Sequence, residues 1–355
     1  MKIVFIDTSI VGHHMPYISA LAGMELDAVA ILPTIVPELP ITQYELKFPD
    51  GPRRKLLDFL KWEQSAKKII DKEKPDIVHF LMGDDFYRFF GTGLRQFSKY
   101  KTVITLHWMR SGIAGKTSTK CIARATDMVV VHSEYIKEKI SSYSIRNVEH
   151  IEYPQFGTTF YSSDYAKKYW KLKQGMPVIV CIGNTRQDKG LDILLEALND
   201  VKKPFQLFVA GKEAHFTESF IKEKTSRYKK EVMLYLNYLT DDEVALAVSA
   251  ADIVALPYRK KFDGASGPLG DGVVHGKMIV GSNHGNLGDT IEKNHLGYTF
   301  ETENTNSLSK VLDRALGEVM VGWNPDQVYL NYQKGLSLEE FKMHYRCLYD
   351  KIMQK

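Results

Sequence analysis

The sequence predicts an α/β protein with two doubly wound domains, each a parallel β-sheet of the Rossmann-like type covered by helices on both faces. Short, uninterrupted apolar runs alternate with amphipathic segments, a pattern typical of parallel strands that are buried on both sides. The alternation pauses after Tyr153-Pro154 and restarts at Val178. At roughly 150 residues per domain, a chain of 355 residues also accommodates two domains.

The first series of apolar runs predicts the strands Ile3–Ile6, Ala28–Leu32, Ile77–Leu81, Thr102–Leu106 and Met128–Val131. The segments between them predict the helices Pro16–Met24, Arg53–Lys72, Asp84–Phe97, Thr117–Ala125 and Tyr135–Tyr143. Ligands of doubly wound sheets bind beyond the carboxyl ends of the strands, so the residues that follow each strand are the candidates for function.

The second series predicts the strands Val178–Ile182, Phe205–Ala210, Val232–Leu236, Ile253–Leu256 and Met278–Val280. We place the domains at residues 1–165 and 166–335 and expect them to face a cleft. The last segment, Leu336–Met353, is a predicted helix rich in aromatic residues. By analogy with other two-domain proteins of this kind, we expect residues 336–355 to cross back to the first domain.

The composition indicates an ordinary globular protein, with 44% hydrophobic and 25% charged residues. The net charge of +4 is too small to argue for a nucleic-acid partner. The cysteines, Cys121, Cys181 and Cys347, have no metal-binding spacing, which favours a reduced, cytoplasmic setting without disulfides or zinc. No apolar run reaches the ~18 residues of a membrane span, so we expect any membrane contact to be peripheral.

The strongest functional signal is the segment Gly183-Asn184-Thr185-Arg186-Gln187-Asp188-Lys189-Gly190, which follows a predicted strand and opens a predicted helix. A diphosphate leaving group requires fixed positive charge at such a place. Arg186 offers a planar guanidinium for phosphate oxygens, and Lys189 adds a compact charge. Taken alone, the segment is explained equally well as a solvated basic turn.

The second signal is the small-residue loop Phe262–Gly272, which also enters a predicted helix. Such a loop presents backbone N–H groups and the positive end of a helix dipole to an anion. Ser266 and Gly267 suit phosphates, and a carboxylate such as Asp271 can accept hydrogen bonds from two ribose hydroxyls. The alternative is a flexible surface loop, which the apolar residues on both sides disfavour.

Together these segments resemble the large family 4 of retaining glycosyltransferases, whose members have the GT-B fold. Members carry a G-x-x-R-x-x-K-G segment and an A-D-x-x-x-x-P-Y strand end, which is Ala251–Tyr258 here. A small-residue loop then ends in A-x-x-x-G-x-P-V. The resemblance covers most of the chain and is strongest from Val178 to Gly288. It implies a hexosyltransferase-type enzyme that needs neither a metal nor a cofactor.

The resemblance also implies roles for residues at matching positions in the second half. Arg186 and Lys189 match the family's diphosphate-binding pair. The other implied donor-binding residues are the loop amides at Ser266, Gly267, Pro268 and Leu269, and the base-binding loop Asn237, Tyr238 and Leu239.

Two aspartates stand where the family has glutamates eight positions apart, namely Asp263 and Asp271. The first is implied to contact sugar hydroxyls as part of the catalytic site, and the second the ribose. Each is one methylene shorter than glutamate. The segment Gly276-Lys277-Met278 also lacks the family's usual proline.

In the first half, Gly12 matches a family glycine near the diphosphate. The neighbouring His13 and His14 are candidates for contact with donor or acceptor, with solvation or capping as the alternative. His107 ends a predicted strand and matches a catalytic-site histidine that hydrogen-bonds a sugar hydroxyl. Its alternative interpretation is a partly buried structural histidine.

Two other segments favour different functions only weakly. Arg110–Thr117 imitates a P-loop but has Arg110 in place of the first glycine, so we interpret it as a helix start. The basic amphipathic stretch Arg53–Ile70 would suit the anionic inner face of a membrane. A helix that packs its apolar face on its own sheet explains it better.

The sequence therefore predicts a glycosyltransferase that moves a sugar from a nucleoside-diphosphate sugar to an acceptor hydroxyl with retention. The acceptor is expected to be a glycan, a lipid-linked saccharide or a polysaccharide precursor. A non-catalytic nucleotide-sugar-binding subunit of an active transferase stays open as an alternative, as does a P-loop-like ATPase or kinase.

Overall fold

The computed structural model describes residues 1–12, 14–49, 55–156, 159–228, 231–262 and 264–354. Its strands are β1 (Lys2–Ile6), β2 (Asp27–Leu32), β3 (Thr42–Glu45), β4 (Ile77–Phe80), β5 (Lys101–Leu106), β6 (Met128–Val131), β7 (Val148–His150), β8 (Val178–Ile182), β9 (Gln206–Ala210), β10 (Val232–Tyr235), β11 (Ile253–Leu256), β12 (Met278–Ser282) and β13 (Gly297–Phe300).

The α-helices are α1 (His14–Ala22), α2 (Leu56–Glu73), α3 (Gly112–Ala125), α4 (Glu134–Ser141), α5 (Ser163–Tyr169), α6 (Leu191–Ala197), α7 (Glu218–Lys224), α8 (Asp241–Ala250), α9 (Gly267–Val274), α10 (Gly285–Lys293), α11 (Thr305–Val321), α12 (Gln327–Gly335) and α13 (Leu338–Met353). Short 3₁₀ helices cover Gly83–Phe89, Leu94–Phe97, Gln187–Lys189 and Leu198–Asp200.

The chain forms two compact units, Met1–Phe156 with Leu338–Lys355, and Gly157–Ser337. Within the described residues, the first unit has a seven-stranded sheet of order β3-β2-β1-β4-β5-β6-β7, and the second a six-stranded sheet of order β10-β9-β8-β11-β12-β13. All neighbouring strands pair in parallel. The sequence-based prediction of two Rossmann-like parallel-sheet domains is therefore confirmed.

The central strands bury both faces because their side chains alternate between two apolar layers. In β1, Val4 and Ile6 face the layer that contains Phe59 and Trp62 of α2. Ile3 and Phe5 face the opposite layer, which contains α1 and the aromatic residues of α13. The strands and helices of the second unit are arranged in the same way, with α5, α8, α9 and α12 on one face and α6, α7 and α11 on the other.

The C-terminal helix α13 is joined to the first unit by a buried chain of hydrogen bonds. Its members, in order, are Ile151, His132, Tyr17, Tyr345, Thr105, His79 and Tyr349. The Ile151 carbonyl can only accept, so Nδ1 of His132 donates to it. The chain joins α13 to the first unit through the hydroxyls of Tyr345 and Tyr349.

The strand order places one crevice in each sheet where connections change direction. In the second unit this point lies between β8 and β11, which pair with each other and continue to β9 and β12 on opposite sides. The equivalent point of the first unit lies between β1 and β4. The segments after these strands are therefore placed to bind ligands.

The structure differs from the sequence prediction at the sheet edges and in one helix. All predicted strands are present, but the outer strands β3, β7 and β13 were not predicted. The predicted helix Asp84–Phe97 is instead two 3₁₀ helices. Phe90, Gly91 and Gly93 between them have φ of 55°, 67° and 95°, values that no α-helix accommodates.

Candidate functional site

A pocket of about 320 Å³ opens at the crevice of the second unit. It is lined by Ile182, Gly183, Asn184, Arg186, Lys189, Gly211, Lys212, Tyr238, Leu239, Asp241, Val244, Pro268 and Asp271. These residues come from the end of β8, from the segments that follow β8, β9 and β10, and from the helices α8 and α9. The pocket thus brings together parts of all three segments that the sequence analysis assigned to the donor.

Lys189 projects back over the end of β8. A Cβ atom added to Gly183, whose φ is 105°, would lie 2.5 Å from Nζ of Lys189. The ammonium therefore occupies the space that a side chain at position 183 would fill. It also lies 5.6 Å from the centre of the Tyr258 ring. Burial lowers the pKa of Lys189, because the charged form loses solvation.

Arg186 lies at the entrance to the same turn, with 52% of its side chain exposed. Its Nε and Nη2 donate to the two carboxylate oxygens of Asp188 at 3.0 and 2.5 Å. This hydrogen-bonded pair raises the pKa of Arg186 and lowers that of Asp188. The contact fixes the plane of the guanidinium at the pocket edge.

The start of α9 forms the opposite side of the pocket. Ser266 is its N-cap, and Oγ accepts from the Leu269 N–H at 3.3 Å. The Tyr258 hydroxyl lies 3.1 Å from the same Oγ. Gly267 has nothing within 4 Å of an added Cβ, so its backbone borders open space. Pro268 lines the pocket, whereas the Leu269 side chain is buried in the core.

Asp271 lies one turn further along α9 and contributes a carboxyl group to the pocket. Burial raises its pKa to about 7, and the nearby Asp241 carboxylate adds to the increase while Lys189 opposes it. Near neutral pH this carboxyl group therefore gains or loses its proton. The protonated form can donate a hydrogen bond, whereas the ionised form can only accept. A carboxylate here is suited to accept hydrogen bonds from a diol.

Sequence reasoning missed several residues of the pocket, above all Lys212 and Asp241. Lys212 comes two residues after β9, and Asp241 is the first residue of α8. The rule that ligands meet the segments after strands makes both residues candidates, but which of these segments lie beside β8 depends on the strand order, which the sequence alone does not give. Tyr238, with 78% of its surface exposed, and Leu239 line the pocket as predicted from the base-binding loop. Asn237, Ser266, Gly267 and Leu269, all described by the structure, lie outside the lining.

Gly12, His14 and His107, the described candidate residues of the first unit, follow strands at the carboxyl edge of its sheet. His14 begins α1, and its Nδ1 donates to Oδ1 of the buried Asp7 at 2.7 Å. Gly12 has a φ of 67° and open space where a Cβ would lie. His13 and Asp263 lie outside the described residues. The predicted roles of Gly12, His13, His14 and Asp263 stay predictions.

His107 follows β5 and is partly buried. Its Nε2 donates to the Leu81 carbonyl at 2.9 Å, and its backbone N–H donates to Asp84 at 3.0 Å. The ring also packs edge-on against Tyr17. Burial raises the pKa of Asp84 to about 7, although these backbone donors oppose the change. The structure thus gives His107 internal partners, as the structural interpretation expects, and its sugar contact stays a prediction.

The two weaker sequence signals have structural explanations. The segment that imitates a P-loop is helical from Gly112, and Lys116 lies 4.7 Å from the Tyr143 ring instead of next to a phosphate-binding loop. The basic stretch is α2 from Leu56 onward, and its residues 53 and 54 lie outside the described part. Phe59, Trp62, Ala66 and Ile70 of α2 are buried in the first unit.

Among the residues that the structure describes, no cluster of His, Cys, Asp and Glu has the arrangement of a metal site. The same part of the chain contains no helix both long enough and apolar enough to cross a membrane.

The fold is that of GT-B glycosyltransferases of known structure. The crystal structure of a glycosyltransferase from Rickettsia africae matches with a TM-score of 0.76 and 17% identity, over 100% of this chain and 99% of that one. Anabaena HepE in complex with UDP matches with a TM-score of 0.72 and 13% identity, over 99% of this chain and 100% of that one. At these identities the likeness concerns the fold.

Residues 176–318, within the second unit, match the family model described as Glycosyl transferases group 1. An uncharacterized glycosyltransferase of Methanocaldococcus jannaschii is 22% identical over 300 residues, which are 81% of this chain and 78% of that protein. These matches support glycosyltransferase activity, whereas the resemblance to the retaining family 4 stays a prediction.

Proposed function

We propose that this protein transfers a sugar from a nucleoside-diphosphate sugar to an acceptor hydroxyl with retention of anomeric configuration. The observation that carries the proposal is the meeting of Arg186 and Lys189 in one pocket at the crevice of the second sheet. Two fixed cations at this place suit a diphosphate. Asp271 in the same pocket suits the hydroxyls of a ribose.

In the proposed reaction, the bond between the anomeric carbon and the diphosphate oxygen breaks while a bond to the acceptor oxygen forms on the same face. Arg186 and Lys189 stabilise the negative charge that develops on the leaving phosphate. That phosphate accepts the acceptor's proton, so no side chain is assigned as the base. Asp263 and His107 are assigned to the sugar hydroxyls on the resemblance alone.

The match to the family model and the ligands of a structure with a similar fold support a sugar-nucleotide donor. HepE, which is similar in fold, was solved with UDP and with UDP-glucose. We propose a glycan or lipid-linked saccharide as the acceptor, without nucleic acid. Any peripheral membrane contact would use the polar face of α2, since its apolar face is buried.

The first experiment measures donor binding by calorimetry with UDP-, GDP- and ADP-glucose, followed by assays of donor hydrolysis and transfer. Arg186→Ala and Lys189→Ala should each remove about 2–4 kcal/mol of transition-state stabilisation, as loss of one oxyanion donor does. Lys222→Ala is the matched control, because Lys222 is an exposed lysine paired with Glu218. We expect activity to persist in EDTA, since the two side chains supply the charge.

Three outcomes separate the possible functions. Turnover that falls in both variants and not in the control supports the proposal. Binding of a nucleotide sugar without hydrolysis or transfer to any acceptor supports a non-catalytic partner subunit instead. If no nucleotide sugar binds, or both variants turn over normally, the diphosphate assignment is wrong.

A further inference from the structure

Arg259 lies behind the Arg186–Lys189 turn and does not line the pocket. It is the second residue after Pro257, at the exit of β11. Its backbone N–H donates to the Asp188 carbonyl at 2.9 Å. Its Nε donates to the Gln187 carbonyl at 3.1 Å. One residue thus binds consecutive carbonyls of the 3₁₀ turn through two different groups.

The remaining side-chain nitrogens of Arg259 bind acidic residues on either side of the turn. Nη2 donates to Oδ2 of Asp192 in the first turn of α6 at 2.5 Å, and Nη1 lies 3.9 Å from Glu303. The other oxygen of Asp192 is buried and has no hydrogen-bond partner in the described structure. The charge of Asp192 is therefore balanced mainly by Arg259.

The packing around Gly190 shows how closely the turn fits against β11. A Cβ added to Gly190 would lie 2.0 Å from the Pro257 carbonyl oxygen. Lys261 adds a contact from the same segment, with Nζ 2.9 Å from the Gln187 side-chain oxygen. The turn that carries both pocket cations is thus fixed from behind by the segment that follows β11.

We propose that Arg259 is a positioning residue of the diphosphate site, which holds the Gln187–Lys189 turn where Arg186 and Lys189 meet the phosphates. This inference rests on the proposed function. A guanidinium suits the task because its planar set of donors can bind a carbonyl and carboxylates on different sides at once. Lysine keeps the charge but lacks this geometry.

The test uses inorganic pyrophosphate as the probe, because it contains the diphosphate without base or sugar. In calorimetry on the full chain, Arg259→Gln should raise Kd about tenfold, the size expected of displaced binding groups. Arg259→Lys should recover little of the loss. Arg314→Gln is the control, since Arg314 pairs with Glu318 on the surface of α11, and its Kd should equal that of the wild type.

A double-mutant cycle separates positioning from a general structural role. In an Arg186→Ala background, Arg259→Gln should weaken binding by less than about threefold. The reason is that the Arg186 side chain, one of the two that Arg259 positions, is already absent. Equal losses in both backgrounds would overturn the proposal, as would an Arg259→Gln variant that binds within twofold of the wild type. If that variant does not fold, Asp192→Asn removes the same contact from the other side and should weaken binding several-fold, and an unchanged Kd would again overturn the proposal.

The wild-type result distinguishes this inference from the proposed function. If the wild type binds pyrophosphate and the cycle shows no coupling, the positioning role alone is wrong. If the wild type does not bind it, the diphosphate site is wrong and the positioning role is wrong with it.

Discussion

Glu63 of α2 is a buried acid whose replacement should stabilise the protein at neutral pH. Its side chain is 0% exposed, and neither carboxylate oxygen has a hydrogen-bond partner within the described structure. The group fits because position 93 is a glycine, where an added Cβ would lie 1.8 Å from Oε2. Burial raises the pKa of Glu63 to about 8. The informative change is Glu63→Gln, which keeps the shape and removes the ionisation.

The sign of the effect follows from proton binding in the two states. Between the ordinary pKa of 4.5 and the folded value of about 8, the unfolded chain has lost this proton and the folded chain keeps it. The wild type therefore loses stability as pH rises through this window. At pH 7, some 2.5 pH units above the ordinary value, the cost is about 3 kcal/mol at 1.36 kcal/mol per unit. Glutamine has no titratable proton, so the Glu63→Gln variant does not lose this stability.

Urea unfolding at pH 5 and pH 8, followed by fluorescence of the neighbouring Trp62, measures this difference. The advantage of Glu63→Gln over the wild type should grow by about 3 kcal/mol between the two pH values. Glu73→Gln in the same helix is the control of opposite sign. Hydrogen bonds from Lys2 and Tyr44 lower the pKa of Glu73, so that variant should lose stability above pH 4.5. Parallel pH profiles of Glu63→Gln and the wild type would refute the reasoning.

Three further predictions concern the pocket and α13. Gly183→Ala should displace the Lys189 ammonium and weaken UDP binding at least about tenfold in calorimetry, whereas Gly335→Ala at the end of α12, where an added Cβ meets open space away from the pocket, should leave it near normal. The pKa of Asp271 is raised to about 7, so UDP affinity should rise between pH 6 and pH 8 as its carboxylate forms, and Asp271→Asn should abolish the rise. Tyr345→Phe should cost about 1–3 kcal/mol in urea unfolding, because it leaves buried hydrogen-bonding groups of its network without a partner, and an unchanged midpoint would contradict this.

The central strands were predictable because each is buried on both faces and so consists of consecutive apolar residues. The outer strand β3, Thr42–Glu45, has no such run. Among the described strands, β2 alone pairs with it, so polar side chains are tolerated on this outer strand and the apolar signal disappears. The two 3₁₀ helices were missed for a related reason. Their apolar spacing suits a helix, and the left-handed residues between them determine the break.

The cations of the candidate site were predictable from their type and position, whereas the groups around them were not. Lys212 reaches the pocket because it follows β9, which pairs with β8. Asp241 reaches it because it begins α8, which packs against β8. That adjacency is a property of strand order, which the sequence alone left undetermined. Arg259 could not be predicted for another reason. It donates hydrogen bonds to carbonyls of a turn that is far away in the sequence, and no local pattern indicates such a contact.

The glycines of the Gly183–Gly190 segment favour one of the two interpretations that the sequence left equal, although the diphosphate role itself stays a proposal. A solvated basic turn would tolerate a side chain at either position, because its backbone would border water. Here an added Cβ would meet the Lys189 ammonium at one end and the Pro257 carbonyl at the other, at 2.5 and 2.0 Å. Both positions also have positive φ, of 105° and 65°, which disfavours other residues. The turn is therefore built to hold its lysine over the end of β8, where a diphosphate would meet it.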